Sequence, residues 1–403
     1  MKKKRVYLDY AATTPVDPRV VRAMAPYFTD KFGNSMSLHS FGQEAKLALE
    51  KSREEVASLI GAKAEEIVFT SSATESNNLA LKGIAFAAEA SARRKKRFIS
   101  SPNKQKGKHI IISPIEHPCI MEASKWLAEQ GFSITKLPVN KYGQVDPKDI
   151  KKAIKKETIL VSVLHASNEI GTIQPVAAIG KICREKGVYF HTDATQSFGK
   201  IPIDVNSMNI DLLSASAHKL YGPKGVGCLF VRKGTKMTPL LHGGGQEAGL
   251  RSSTVNVPGI VGFGKAVELA KKEMVKESKC LAGLRDRLIN GILGEIEGAH
   301  LNGHPKKRLP NNANIWFEFV EGESMVIQLD MAGIAASTGS ACSSAKLEPS
   351  HVLLAIGLRH EQAHGSLRFS LGHWTTEKEI DYLLKVLPGI IKRLREISPF
   401  KKK

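Results

Sequence analysis

The run T-I-L-V-S-V-L-H at 158–165 constrains the fold more than any other stretch of this sequence. A strand with one wet face alternates apolar and polar side chains. This one is apolar on both faces, as strands are in the interior of a parallel sheet covered above and below. The chain around it repeats the theme. Strands are predicted at 65–70, 108–113, 132–137, 158–165, 188–193, 210–215 and 226–232. Between them the apolar spacing turns helical: from S-F-G-Q (40–43), which has capping-box spacing, to Gly61; onward from about Ala73; over 118–130; and over 176–186. Such alternation predicts an α/β domain with a mostly parallel sheet. The basic stretch 91–107 carries no apolar period and reads as a surface loop.

After about residue 260 the pattern changes. A long helical stretch covers 261–298. Shorter strands follow around 313–319 and 365–371, with helices near 323–331, 349–356 and 377–397. The expected organisation is a large domain over 18–262 and a smaller C-terminal α+β domain over 263–403, which the N-terminal segment 1–17 joins.

In a parallel-sheet protein, ligand chemistry gathers at the carboxyl ends of the strands, so the residues there matter most. Strand 65–70 runs into T-S-S-A-T-E, where Ser72 and Glu75 have capping-box spacing; the free N–H groups of the helix that starts there suit a phosphate. Strand 108–113 is followed by P-I-E-H-P-C, with His117 just past its end. Strand 158–165 leads to Asn168 and Glu169. Asp193 ends an apolar strand, where a carboxylate needs a partner because burying it alone is costly. Lys219 follows an apolar strand in S-A-H-K-L-Y-G-P-K-G (216–225), a place where a lysine can lose its proton by burial and form a Schiff base. A phosphate cup, a histidine able to stack on a ring, an acid for a pyridinium and an amine together fit pyridoxal 5'-phosphate.

At these residues the sequence resembles the cysteine desulfurases of the NifS/IscS type, within the class V aminotransferases. The resemblance runs from Y-L-D-Y-A-A-T-T-P-V (7–16) to the C-terminal helix. It rests on T-S-S-A-T-E-S-N-N (70–78), E-H-P (116–118), N-E-I-G (168–171), H-T-D-A-T-Q-S (191–197), H-G-G-G-Q-E (242–247), S-T-G-S-A-C-S-S (337–344) and L-R-F-S-L-G (367–372), besides the lysine segment. It implies a fold-type I pyridoxal-phosphate-dependent transferase. By the resemblance, Lys219 would carry the cofactor's aldehyde, Asp193 would pair with the pyridinium nitrogen, and His117 would stack on the ring and move protons. Gln196 would bond the phenolic oxygen. Ala73, Thr74, Ser216 and His218 would hold the phosphate, with Thr254 reaching in from the other subunit of a homodimer. Asn168 would face both cofactor and substrate, and Arg368 would bind the substrate carboxylate with help from Asn34. A guanidinium fork suits that planar anion better than an ammonium.

The reaction implied is L-cysteine to L-alanine, with the sulfur kept as a persulfide on Cys342 and passed to an iron–sulfur scaffold or a tRNA-thiolation factor. No intrinsic metal is expected, although Cys342 could ligate a cluster transiently with a scaffold. A thiolate is the species required, so Cys342 needs a low pKa or a nearby base. Ser35, Met36, Ser72 and Ser253 depart from the usual pattern, Ser72 and Ser253 standing where glycine is frequent. Selenocysteine lyase or another β-eliminating activity on the same fold is the nearest alternative.

Composition sets the remaining limits. The chain has 403 residues, a formal net charge of +20 and basic clusters that include 93–97 and 104–108. The excess charge reads as solvated loops and tails; a nucleic-acid-associated protein on a degenerate enzyme fold would predict a broken Lys219, Asp193 or Cys342, and all three are present. Contact with tRNA stays open as an added property. The five cysteines form no C-x-x-C pair, which fits neither a disulfide framework nor a zinc site; Cys183 and Cys228 read as core residues. No apolar run spans a bilayer and no signal-peptide stretch follows the basic N-terminus, so a cytoplasmic location is the expectation.

Overall fold

The computed structural model describes residues 5–98, 107–338 and 348–398, the side chains of 92–98 excepted. Cys342 lies outside the described residues.

The chain enters through a two-residue strand, β1 (Val6–Tyr7), and then builds a seven-stranded sheet. Its strands are β2 (Ile67–Thr70), β3 (His109–Ile112), β4 (Ser133–Lys136), β5 (Thr158–Ser162), β6 (Tyr189–Asp193), β7 (Leu212–Ser216) and β8 (Gly227–Val231), in the order β2-β8-β7-β6-β5-β3-β4. Strands β7, β6, β5, β3 and β4 pair in parallel. Strand β8 is antiparallel to both of its neighbours, so it alone runs against the rest. Both faces are covered, as the apolar runs require. Ile111, Val161, Leu213 and Phe230 point into one core, and their chain neighbours Ile110, Leu160, Leu212 and Leu229 into the other. This is the period-2 alternation of a strand buried on both sides.

A second body follows. Strands β9 (Ala299–Asn302), β10 (Asn312–Phe317) and β12 (Ser366–Ser370) form an antiparallel sheet, and β11 (Ile334–Ala335) pairs in parallel with β1. Val6 and Leu8 pack into this second core with Ile315, Leu329, Phe369 and Leu387. The N-terminal segment is thus held by the second body while its next residues reach over the first.

One helix, Val257–Glu295, spans the position expected to divide the domains. Its first half packs Ile260, Phe263 and Val267 into the large core, and its second half packs Leu281, Leu288 and Ile292 into the other. Two local expectations are corrected. The helix Ala73–Phe98 extends to Phe98, into the basic run that reads as loop from residue 91, while 99–106 lie outside the described residues; Arg and Lys are good helix formers, so the absence of an apolar face does not end a helix already nucleated. The helix Ser40–Leu59 is capped by His39, whose side chain accepts from the Gly42 N–H, and not by a Ser40–Gln43 box. Gln43 instead donates to the Ser37 carbonyl.

Candidate active site

The carboxyl ends of the parallel strands open into a cavity of about 340 Å³. Of the residues singled out from sequence, Ala73, Thr74, His117, Asn168, Asp193, Gln196, Ser216, His218, Lys219 and Arg368 line it. Asn34 and Thr254 do not; both side chains are exposed, and Asn34 Oδ1 accepts from the Met36 N–H.

Strand β7 passes into a single 3-10 turn, Ala217–Lys219, which sets Lys219 on the cavity rim. Its Nζ donates to the carbonyls of Ala11 (2.7 Å) and Ala12 (2.6 Å). Gln196 Nε2 donates to the same Ala11 carbonyl at 3.0 Å. The N-terminal segment therefore orients two candidate cofactor ligands through main-chain oxygens.

Asp193 closes β6 and is buried. Its Oδ1 accepts from the Thr195 N–H at 2.9 Å and its Oδ2 from Asn77 Nδ2 at 2.7 Å. Both donors are neutral, which orients the carboxylate without cancelling its charge and leaves that charge for a cationic group in the cavity.

The cavity's other end is a helix N-terminus. Strand β2 stops at Thr70, and three residues later the helix Ala73–Phe98 begins. Ser72 Oγ accepts from the Glu75 N–H at 3.2 Å, while the Glu75 carboxylate reaches back to the Ser71 N–H at 2.7 Å and pairs with Arg251 at 2.8 Å. The reciprocal bond of the expected box thus goes to Ser71. A helix N-terminus held this way presents N–H groups and a positive dipole end to an anion. Gly227 of β8 lies against the same turn: a Cβ there would come within 2.7 Å of the Ser72 carbonyl carbon and 2.8 Å of the Ala215 oxygen. His218 is held near by Thr13 Oγ1 at 3.1 Å from its Nδ1. Burial, then the positive charges of Lys219, Lys224 and Lys200, push its pKa down to about 4. That clustering of positive charge favours an anionic ligand.

Arg368 comes from β12 of the second body and is buried. Nη2 pairs with Asp9 Oδ1 at 2.8 Å and Nη1 donates to the Asn168 carbonyl at 3.0 Å. Nε is buried and has no partner among the described residues. Arg368 lines the cavity, and its planar fork suits a carboxylate there.

His117 caps the helix Pro118–Glu129, its Nδ1 accepting from the Cys119 N–H at 3.3 Å. Cys119 Sγ lies 3.0 Å from the same nitrogen and 3.1 Å from Asn77 Nδ2. Burial lowers the pKa of His117 and pushes the Cys119 thiol up to about 12.

Several residues of the site are not evident from sequence reasoning. Asp9, the Ala11 and Ala12 carbonyls, Asn77, Cys119 and His351 are among them. Asn77 lies one helical turn beyond Ala73, so it shares the face that meets the cavity; that spacing was the available signal. Glu116 and Glu169 are fully buried carboxyls whose pKa values burial raises. Glu116 Oε1 accepts from the Leu164 N–H at 2.8 Å, and Glu169 accepts from the Ser350 hydroxyl.

The sequence pattern described as "Aminotransferase class-V" matches residues 6–383. A protein of Dictyoglomus turgidum named cysteine desulfurase IscS is 53% identical to this chain over 99% of it and 98% of its own length. One of the same name from Methanosarcina thermophila is 52% identical over 99% and 95%. Among solved structures, a NifS-like protein superimposes with a TM-score of 0.88 at 40% identity, covering 97% of this chain and 100% of its own. SspA in complex with cysteine gives a TM-score of 0.79 at 39% identity over 92% and 100%. With the pattern matched over most of the chain, and relatives more than half identical along nearly its whole length, the chain belongs to the class-V aminotransferase family.

Proposed function

We propose that this chain is a pyridoxal-phosphate-dependent cysteine desulfurase. The observation that carries the reading is one cavity shared by Lys219, the Asp193 carboxylate and the Arg368 guanidinium. The names of its relatives and the cysteine-bound neighbour point the same way.

The cavity fits the cofactor. Asp193, oriented by neutral donors, would pair with the pyridinium nitrogen. The N–H groups at Ala73 and Thr74, with Ser216 and His218, would take the phosphate. When bound, pyridoxal phosphate supplies an aldehyde that takes up an amine and a ring that draws electrons from the adjoining carbon. The chain's own residues do the rest. Lys219, its Nζ held by the Ala11 and Ala12 carbonyls, would hold the aldehyde. Arg368 and Asn168 bind and orient the carboxylate of L-cysteine. His117, on the cavity wall, would lie against the ring and move protons. Cys342, as thiolate, takes the substrate sulfur: the Cβ–S bond breaks, its electron pair stays with Cβ, Cβ takes a proton to become the methyl of L-alanine, and Cys342 keeps the sulfur as a persulfide.

A homodimer completes the site, with Thr254 reaching the partner's phosphate. The segment 28–47 supports this, since Phe28, Phe32, Met36, Leu38 and Leu47 are all exposed there, Leu38 at 92%. Exposed large apolar side chains gathered in one segment are what an interface would cover. An iron–sulfur scaffold or a tRNA-thiolation factor would receive the sulfur. Among the described residues no helix is long and apolar enough to cross a membrane.

The test is alanine formation from L-cysteine with added cofactor. Wild type is expected to release alanine. Lys219→Ala is expected to lose both the activity and the visible absorption of the bound cofactor. Equal turnover by Lys219→Ala would sink the reading.

A further inference from the structure

Four side chains connect the two ends of the candidate catalytic apparatus in one line. Asn77 Nδ2 donates to Asp193 Oδ2 at 2.7 Å and lies 3.1 Å from Cys119 Sγ. Cys119 Sγ in turn lies 3.0 Å from His117 Nδ1. The direction of each bond follows from what its ends can do. A carboxylate only accepts, so Asn77 must turn its amide nitrogen to Asp193; the flipped amide would set two acceptors against each other. Its second N–H then points at sulfur. At the far end, His117 Nδ1 receives the backbone N–H of Cys119 at 3.3 Å, and a backbone amide only donates. Nδ1 is therefore an acceptor, and the thiol beside it is oriented to donate. The thiol has its proton to give, because burial pushes its pKa up to about 12. In the neutral ring the proton then sits on Nε2, the one ring nitrogen left for the cavity.

We propose that Cys119 is a positioning residue for His117: its thiol, itself held by Asn77, locks the imidazole in the Nε2–H tautomer. His117 then meets the cavity as a proton donor, and the group that first accepts a proton from the substrate is another residue. The proposal rests on the functional reading above for its catalytic consequence. The tautomer is a property of the folded chain and is measured independently of turnover.

The experiment is a long-range proton–nitrogen correlation spectrum of the histidine-labelled, cofactor-loaded protein, and of the protein as purified. Wild type is expected to show His117 protonated at Nε2 and bare at Nδ1. Cys119→Ala removes one of two donors to Nδ1, and the ratio of Nε2–H to Nδ1–H is expected to fall about fivefold, the worth of one neutral hydrogen bond. Cys119→Ser keeps a donor and is expected to restore the wild-type tautomer and the wild-type pH profile of kcat, which Cys119→Ala shifts. A wild-type His117 protonated at Nδ1 overturns the proposal, as does a Cys119→Ala protein with an unchanged tautomer ratio. A protein that shows the expected tautomer but forms no alanine from L-cysteine refutes the desulfurase reading and supports the positioning role.

Discussion

Replacing Arg368 by lysine tests how the site would recognise its substrate. The guanidinium spans two partners among the described residues, Asp9 Oδ1 at 2.8 Å and the Asn168 carbonyl at 3.0 Å. A substrate carboxylate docking against this guanidinium gains a charge-assisted hydrogen bond from a cation already held in place by Asp9 and Asn168. Lysine keeps the charge but not the planar fork, and its ammonium cannot reach all these acceptors at once. Losing one charge-assisted bond costs about 1.5–3 kcal/mol. That corresponds to a KM for L-cysteine raised roughly 10- to 150-fold. The assay is alanine release against L-cysteine concentration, with cysteamine as a carboxylate-free competitor. Arg368→Lys is expected to weaken L-cysteine and leave inhibition by cysteamine unchanged. A thermal melt alongside separates recognition from loss of the Asp9 pair. Equal losses for both ligands, or none for either, would refute the assignment of Arg368 to the carboxylate.

Other expectations concern stability. Glu247 accepts from Arg53 Nη1 at 2.7 Å, Arg53 Nη2 at 2.8 Å and the Phe69 N–H at 2.7 Å. Glu247→Ala removes these charge-assisted bonds while Arg53 keeps Glu50 at 3.2 Å and the Ile67 carbonyl at 2.8 Å, and is expected to cost about 1.5–3 kcal/mol in urea unfolding; a change under about 1 kcal/mol would contradict this. Burial depresses the pKa of His165 from its ordinary 6.5 to about 4, so the folded state resists a proton that the unfolded chain takes up. Stability from this group is complete above pH 6.5 and declines as pH falls towards 4, by about 1.4 kcal/mol per pH unit within that window. Burial depresses His191 in the same direction. Unfolding midpoints flat across the window would count against both. Ser253 stands at φ +155°, backbone that glycine adopts more readily. Ser253→Gly is therefore expected to gain about 1 kcal/mol in the same urea assay, and a loss would show that the serine's bonds outweigh the strain.

Much of this architecture is legible in the sequence because burial writes itself into side chains. Val161, Phe190 and Leu213 are apolar since both sheet faces are covered, and that same pattern locates the strand ends where Asp193 and Lys219 stand. What is not legible is carried by the main chain or by two-residue pairings. The carbonyls of Ala11 and Ala12 bond Lys219 without any side-chain signature. Strands β1 and β11 pair over two residues each, too short for a period. The resemblance names Arg368, but only the fold shows that Asp9, arriving with the N-terminal segment, shares its guanidinium. Cys119 follows a catalytic candidate by two residues, yet its bond to the ring depends on the helix turn that His117 caps.

The most direct test of the central claim is the mass of the peptide containing Cys342 after the cofactor-loaded protein meets L-cysteine without an acceptor or reductant. One added sulfur atom on that peptide, matched by one L-alanine released per sulfur bound, is expected. Wild-type protein that releases alanine while Cys342 stays unmodified, or a Cys342→Ala protein that still stores sulfur at the wild-type level, would contradict it.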